Sequence, residues 1–157
     1  MTEKSNGCLK MTELFNTPFE TSLRVLLTLR VFGENMTLDK IAAADFMTIY
    51  ARDFSIATYN LNGNNGLNFS EAALKRARVG KAIKRLVLDR LVSAIQNRSG
   101  FTYEITEQGA QVCDELTSDY TDEYIALSQA VYKYLYGKSE VAILAEINKR
   151  AISGKEE

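Results

Sequence analysis

A chain of 157 residues, 46% apolar and 25% charged, has the composition of one globular domain and not of a disordered or fibrous protein. Folding at this size buries roughly 70% of the surface an unfolded chain exposes, so the chain supports its own core. The net charge of −1 and pI of about 5.7 exclude a protein that is basic throughout, and the absence of histidine removes imidazole triads, imidazole zinc sites and the commonest general base near neutral pH.

In chain order, residues 1–12 read as a flexible tail. The polar start, Met1 to Lys10, lacks the layout of a secretory signal. Thr17-Pro18-Phe19-Glu20 combines a capping box with proline at the first helical position, a strong helix start. The apolar positions Leu23, Leu26, Leu27, Leu29 and Val31 build a broad buried face, and Gly33 supplies the stop. Polar interruptions at Arg24, Thr28 and Arg30 keep this stretch well short of the roughly 20 apolar residues of a membrane span. Thr37 caps a second helix reaching about Tyr50. Residues 51–69 are rich in Asn and Gly and read as a long irregular loop, a candidate contact surface because such loops are uncommon unless functional.

Ser70-Glu71 opens a third helix running to about Arg90. Val79, Ala82, Ile83, Leu86 and Val87 share its inner face, while Arg78, Lys81 and Arg85 line the outer one. The segments Leu91–Gln96 and Phe101–Ile105 flank the turn Asn97-Arg98-Ser99-Gly100 and read as a β-hairpin. Thr106 caps a helix whose pattern continues towards Tyr136; Gly137-Lys138 breaks it, and Ser139 starts a last helix reaching about Ala151. Residues 153–157 should fray. The predicted architecture is mainly α with a small β-hairpin. It has a winged-helix-like core plus C-terminal helices, in one domain over residues 13–152.

Chemistry-bearing patterns are sparse. Cys8 and Cys113 are far apart and show no CxxC spacing, so two free thiols in a reducing, cytoplasmic setting are expected. No metal constellation or phosphate loop is present; Gly63-Asn64-Asn65-Gly66 is followed by Leu67-Asn68-Phe69, without the lysine that phosphates need. The expectation is no catalytic residue, no cofactor, no metal and no enzymatic activity. What remains is charge. Ala72 to Arg90 holds seven basic residues against one Asp89, whereas Phe101 to Tyr136 holds seven acidic residues and one Lys133. Such a bipolar surface orients protein partners as readily as nucleic acid. Arg78, Lys81, Arg85 and the hairpin-tip Arg98 are candidates for nucleic-acid or partner binding, although a solvated helix face gives the same pattern. Tyr120, Tyr124, Tyr132 and Tyr136 repeat at one-turn spacing. Core packing accounts for such a pattern, and so does a docking site, since tyrosine is enriched in interface hot spots.

The order of several short blocks carries a family resemblance. Phe15-Asn16-Thr17-Pro18-Phe19-Glu20, Asp45-Phe46 with Asp53-Phe54, Phe69-Ser70-Glu71, Leu91-Val92, Gly100-Phe101-Thr102-Tyr103 and Ser118-Asp119-Tyr120 together resemble the middle component of bacterial ABC three-component systems, over roughly residues 13–136. The resemblance implies a gene neighbourhood with an SMC-like ABC ATPase and an effector, often a nuclease, in Lamassu-type defence against phage or plasmids. It implies a small accessory scaffold that binds the ATPase and helps couple DNA sensing to the effector, with possible DNA contact inside the complex and no membrane. The alternative is a free-standing winged-helix transcription regulator.

Overall fold

The computed structural model describes residues 17–61 and 69–156, the segments 69–72 and 151–156 by backbone alone. The N-terminal tail with Cys8, and the Gly63–Gly66 turn, lie outside the described residues. Among the described residues, six helices and one two-stranded antiparallel hairpin follow each other as α1 (Pro18–Phe32), α2 (Leu38–Ile49), α3 (Phe69–Leu88), β1 (Val92–Asn97), β2 (Gly100–Ile105), α4 (Glu107–Glu115), α5 (Asp119–Leu135) and α6 (Glu140–Glu156). The fold is mainly helical with a small hairpin, as the patterning predicts.

Local chemistry explains most of the boundaries. Thr17 is extended and its hydroxyl accepts from the Glu20 amide at 3.2 Å, with Pro18 opening α1. At the far end Gly33 sits in the left-handed region (φ 64°) and its N–H returns to the Leu29 carbonyl, a conformation costly for a residue with a Cβ. Thr37 caps α2 by accepting from the Lys40 amide at 3.1 Å. Every residue from Ile41 to Ile49 is buried, so α2 is the central helix, covered all round. The hairpin pairs Val92 with Ile105 through Asn97 with Gly100. Beyond β2, Met36 and Tyr103 exchange backbone hydrogen bonds at 3.0 and 2.8 Å, tying the hairpin to the α1–α2 link.

The structure departs from the sequence reading in three places. The helical pattern after Thr106 is two helices, because Leu116 is extended (φ −81°, ψ 122°) and the Ser118 hydroxyl accepts from the Thr121 amide at 3.1 Å to start α5 afresh. The break lets α4 lie on α1 while α5 carries Tyr124 into the core. The last helix continues past Ala151 to Glu156. Residues 51–61 are irregular, as expected, but are anchored in the core instead of lying free on the surface. Ala51, Phe54 and Asn60 are buried, the Asn60 side-chain carbonyl accepts from the Arg52 amide at 2.8 Å, and Phe54 meets Phe46 edge-on at 6.1 Å between centroids. Only residues 62–68 of the expected contact loop lie outside this account.

Candidate functional site: a basic-rimmed apolar groove

Helices α1 and α3 pack against each other, and between them lies a groove of about 780 Å³ that Leu91 and Val112 of α4 also line. Its lining includes the apolar side chains Leu23, Leu26, Ala82 and Leu86, and Phe19 stands at the α1 side with 70% of its surface exposed. The α3 side is charged. Arg78, Lys81 and Arg85 line it together with Asp89; Arg78 is half-buried and the others are exposed. Their i, i+3, i+7 spacing puts them on one helix face over roughly 10 Å. Arg85 is occupied by Asp89 at 3.1 Å, an exposed pair of little value to stability. Arg78 and Lys81 have no ion-pair partner among the described residues.

The groove combines an apolar lining with a charged α3 side. Cys113, next to Val112, is buried, and burial pushes its thiol up to about 11, the state of an inert thiol. Among the described residues no group of three His, Cys, Asp or Glu side chains is arranged to hold a metal. None of the described helices is long and apolar enough to cross a membrane.

The ABC-three component (ABC-3C) system Middle Component 2 family matches residues 14–157. The chain belongs to that family. No curated protein and no solved structure matches it. Membership as Middle Component 2 makes the chain an accessory component of an ABC three-component system and implies partner components in that system. An exposed groove of this kind is then a feature to account for.

The other residues singled out from the sequence are distributed differently in this Middle Component 2 chain. Arg98 is exposed at the hairpin tip and does not line the groove. Lys75, counted with the basic face, is buried, and Arg76 is held by Asp39 at 2.5 Å, so the available positive charge is smaller than the sequence count. The four tyrosines do not form one docking surface. Tyr124 is wholly buried; its hydroxyl donates to Asp45 Oδ1 at 2.6 Å and lies 2.9 Å from Thr28 Oγ1. Tyr120 stacks on it at 6.5 Å. Tyr132 meets the core residue Phe32 edge-on at 5.2 Å. Only Tyr136 is freely exposed, at 78%, beside a hollow of about 290 Å³ that includes Lys40 and Lys138. The acidic residues of α4 and α5 (Glu107, Asp114, Glu115, Asp119, Asp122 and Glu123) are all exposed.

What sequence reasoning missed is the groove wall on α1. Phe19, Leu23 and Leu26 fall at i, i+4, i+7, and an apolar face on α1 too broad for one contact is the signal in the sequence that points to it.

The buried tyrosines also govern alkaline behaviour. Burial first, then the adjacent Asp45 carboxylate, raises Tyr124 well above an ordinary phenol, and burial raises Tyr120 in the same direction. The unfolded chain then releases these protons at lower pH than the folded one. Their contribution to stability is therefore complete below about pH 10 and is lost above it, by up to about 1.4 kcal/mol per pH unit for Tyr124 alone. Urea midpoints measured at pH 8.5 and 11 should fall accordingly, and Tyr124→Phe should flatten the decline. An unchanged wild-type midpoint at pH 11 would contradict the buried network.

Proposed function

We propose that the chain is a non-catalytic, cytoplasmic accessory subunit that docks on an SMC-like ABC ATPase and helps couple DNA sensing to an effector nuclease in anti-phage or anti-plasmid defence. The observation that carries the docking role is the apolar groove between α1 and α3, rimmed by Arg78, Lys81 and Arg85, on a chain of the Middle Component 2 family. A helix-walled groove with an apolar lining is a surface of the kind protein partners fill.

The test is affinity purification of the tagged full chain from cells expressing its flanking genes. A stoichiometric large ATPase should co-elute. Changing Arg78, Lys81 and Arg85 together to Glu should leave the melting temperature within about 2 °C, since these side chains lie off the core, yet deplete the co-eluting partner. A lone chain that retains DNA instead would overturn the reading. The transcription-regulator alternative draws on the exposed Lys81 and Arg85 of α3 together with Arg98 on the hairpin. It requires a dimer that binds a short duplex unaided, with log affinity falling steeply against log salt.

A further inference from the structure

We infer that the α1–α3 groove receives an acidic amphipathic helix from another protein of the system. The inference rests on the accessory-subunit reading and specifies what that subunit grips.

Both long walls of the groove are helices, so no strand edge is offered and recognition must come from side chains. Along α1 the lining runs from Pro18 to Leu26, and along α3 from Arg78 to Leu86 with Asp89 just past its end, which at 1.5 Å per residue is roughly 12–16 Å. That is two to three turns of a guest helix, the length over which i, i+3/i+4, i+7 anchors engage a groove. The two rims are unlike. The α1 rim carries Pro18, Phe19 and Ser22, whereas the α3 rim carries Arg78, Lys81 and Arg85. Asp89 answers only Arg85, which leaves two cations without a counter-charge among the described residues. A guest with an apolar ridge and carboxylates along one flank meets both features at once.

Two other occupants fit less well. Duplex DNA would satisfy the cations but has no apolar ridge to place against the accessible Phe19, Leu23, Leu91 and Val112. A second copy would have to present an acidic helix, but α5 has placed Tyr124, Leu127 and Val131 in its own core and α4 has done the same with Cys113. The apolar faces of its acidic helices are largely taken up by its own core.

The experiment uses the full chain, co-expressed with its flanking genes, with the photo-crosslinking analogue benzoylphenylalanine in place of Phe19 and, as an off-site control, in place of Tyr136. The Phe19 probe should crosslink to a neighbour protein, in a segment with apolar residues at helical spacing and at least two carboxylates on one flank. The pair Arg78→Glu and Lys81→Glu should cut that crosslink by on the order of tenfold or more, and changing the two partner carboxylates to Lys should restore it. A crosslink to residues 1–16 of the same chain, to a second copy, to nucleic acid or to a partner segment without acidic residues overturns the inference. So does a complex that co-purifies without any Phe19 crosslink, which leaves the accessory reading standing. Failure to co-purify any partner overturns both.

Discussion

Asp45→Ala is expected to lower the unfolding free energy by about 3–5 kcal/mol, the cost of leaving a buried charge without its partner. Asp45 Oδ1 is 2.9 Å from Arg24 Nε, and the two side chains are 0% and 1% exposed. The same oxygen accepts from the Tyr124 hydroxyl at 2.6 Å, so one carboxylate joins α1, α2 and α5 at the centre of the molecule. Burial pulls the Arg24 guanidinium down, but Asp45, by charge and hydrogen bond, together with Tyr120 and Tyr124 raises it above its ordinary value; the charge stays on, and its removal from water has to be offset locally. In a domain whose whole stability is of order 5–15 kcal/mol, such a loss should shift the melting temperature down by roughly 6–20 °C. Arg24→Leu combined with Asp45→Leu removes both charges and should recover most of the deficit. Urea unfolding of the three proteins decides the matter, and a loss below about 1 kcal/mol for Asp45→Ala would show that water or rearrangement reaches the site.

Gly109→Ala should be the most damaging glycine substitution in the described chain. The residue lies in the first turn of α4, where its N–H donates to the capping hydroxyl of Thr106 at 3.1 Å. A Cβ there would run into the carbonyl oxygen of Leu91 and sit 2.7 Å from Ile105 Cγ1. The Leu91 carbonyl cannot retreat freely, because it accepts from the Thr106 amide at 3.0 Å. Helix propensity favours alanine by about 1 kcal/mol, so the sign depends on whether backbone can move. With backbone on the other side of the contact, a net loss of about 2–3 kcal/mol is expected, at the upper end of overpacking costs. The same change at Gly80, within α3, meets only Leu38 Cδ1 at 3.5 Å and should be neutral or stabilising by up to about 1 kcal/mol. Opposite signs for the two variants in one denaturation series are the expected result; equal effects would refute the clash. Leu91 and Val112 both line the groove, so Gly109→Ala should weaken partner docking beyond its effect on stability.

Signals that act within one turn of chain were legible directly. Thr17, Thr37 and Thr106 each satisfy an orphan helix N–H with a side-chain oxygen, and a capping residue needs no knowledge of the rest of the fold. The hairpin, with Arg98-Ser99 between its two strands, follows equally from its turn residues. The outer face of α3 was legible too: Arg78, Lys81 and Arg85 share a side because the helix repeat demands it.

Tertiary neighbours decided everything that depends on what lies across a gap. Tyr124 and Tyr136 look alike in sequence, yet one is wholly buried and the other 78% exposed, because Tyr124 faces Thr28 and Asp45 on the inner side of α5 while Tyr136 lies just past the helix as its C-cap. Lys75 counts in sequence with the basic residues of α3, and Asp45 is one polar position of α2, but both side chains are buried in the fold. The groove itself belongs to no single segment. It exists because α1 and α3, more than fifty residues apart in Leu23 and Lys81, pack at their inner faces while α4 and the turn at Leu91 stop short of filling the space between. By itself, the sequence determined most helix starts, the hairpin turn and which face of α3 is basic, since capping, backbone angles and helical repeat are local. Only the tertiary structure decided which charges are buried and where an apolar surface remains open, since burial depends on residues that meet only after folding.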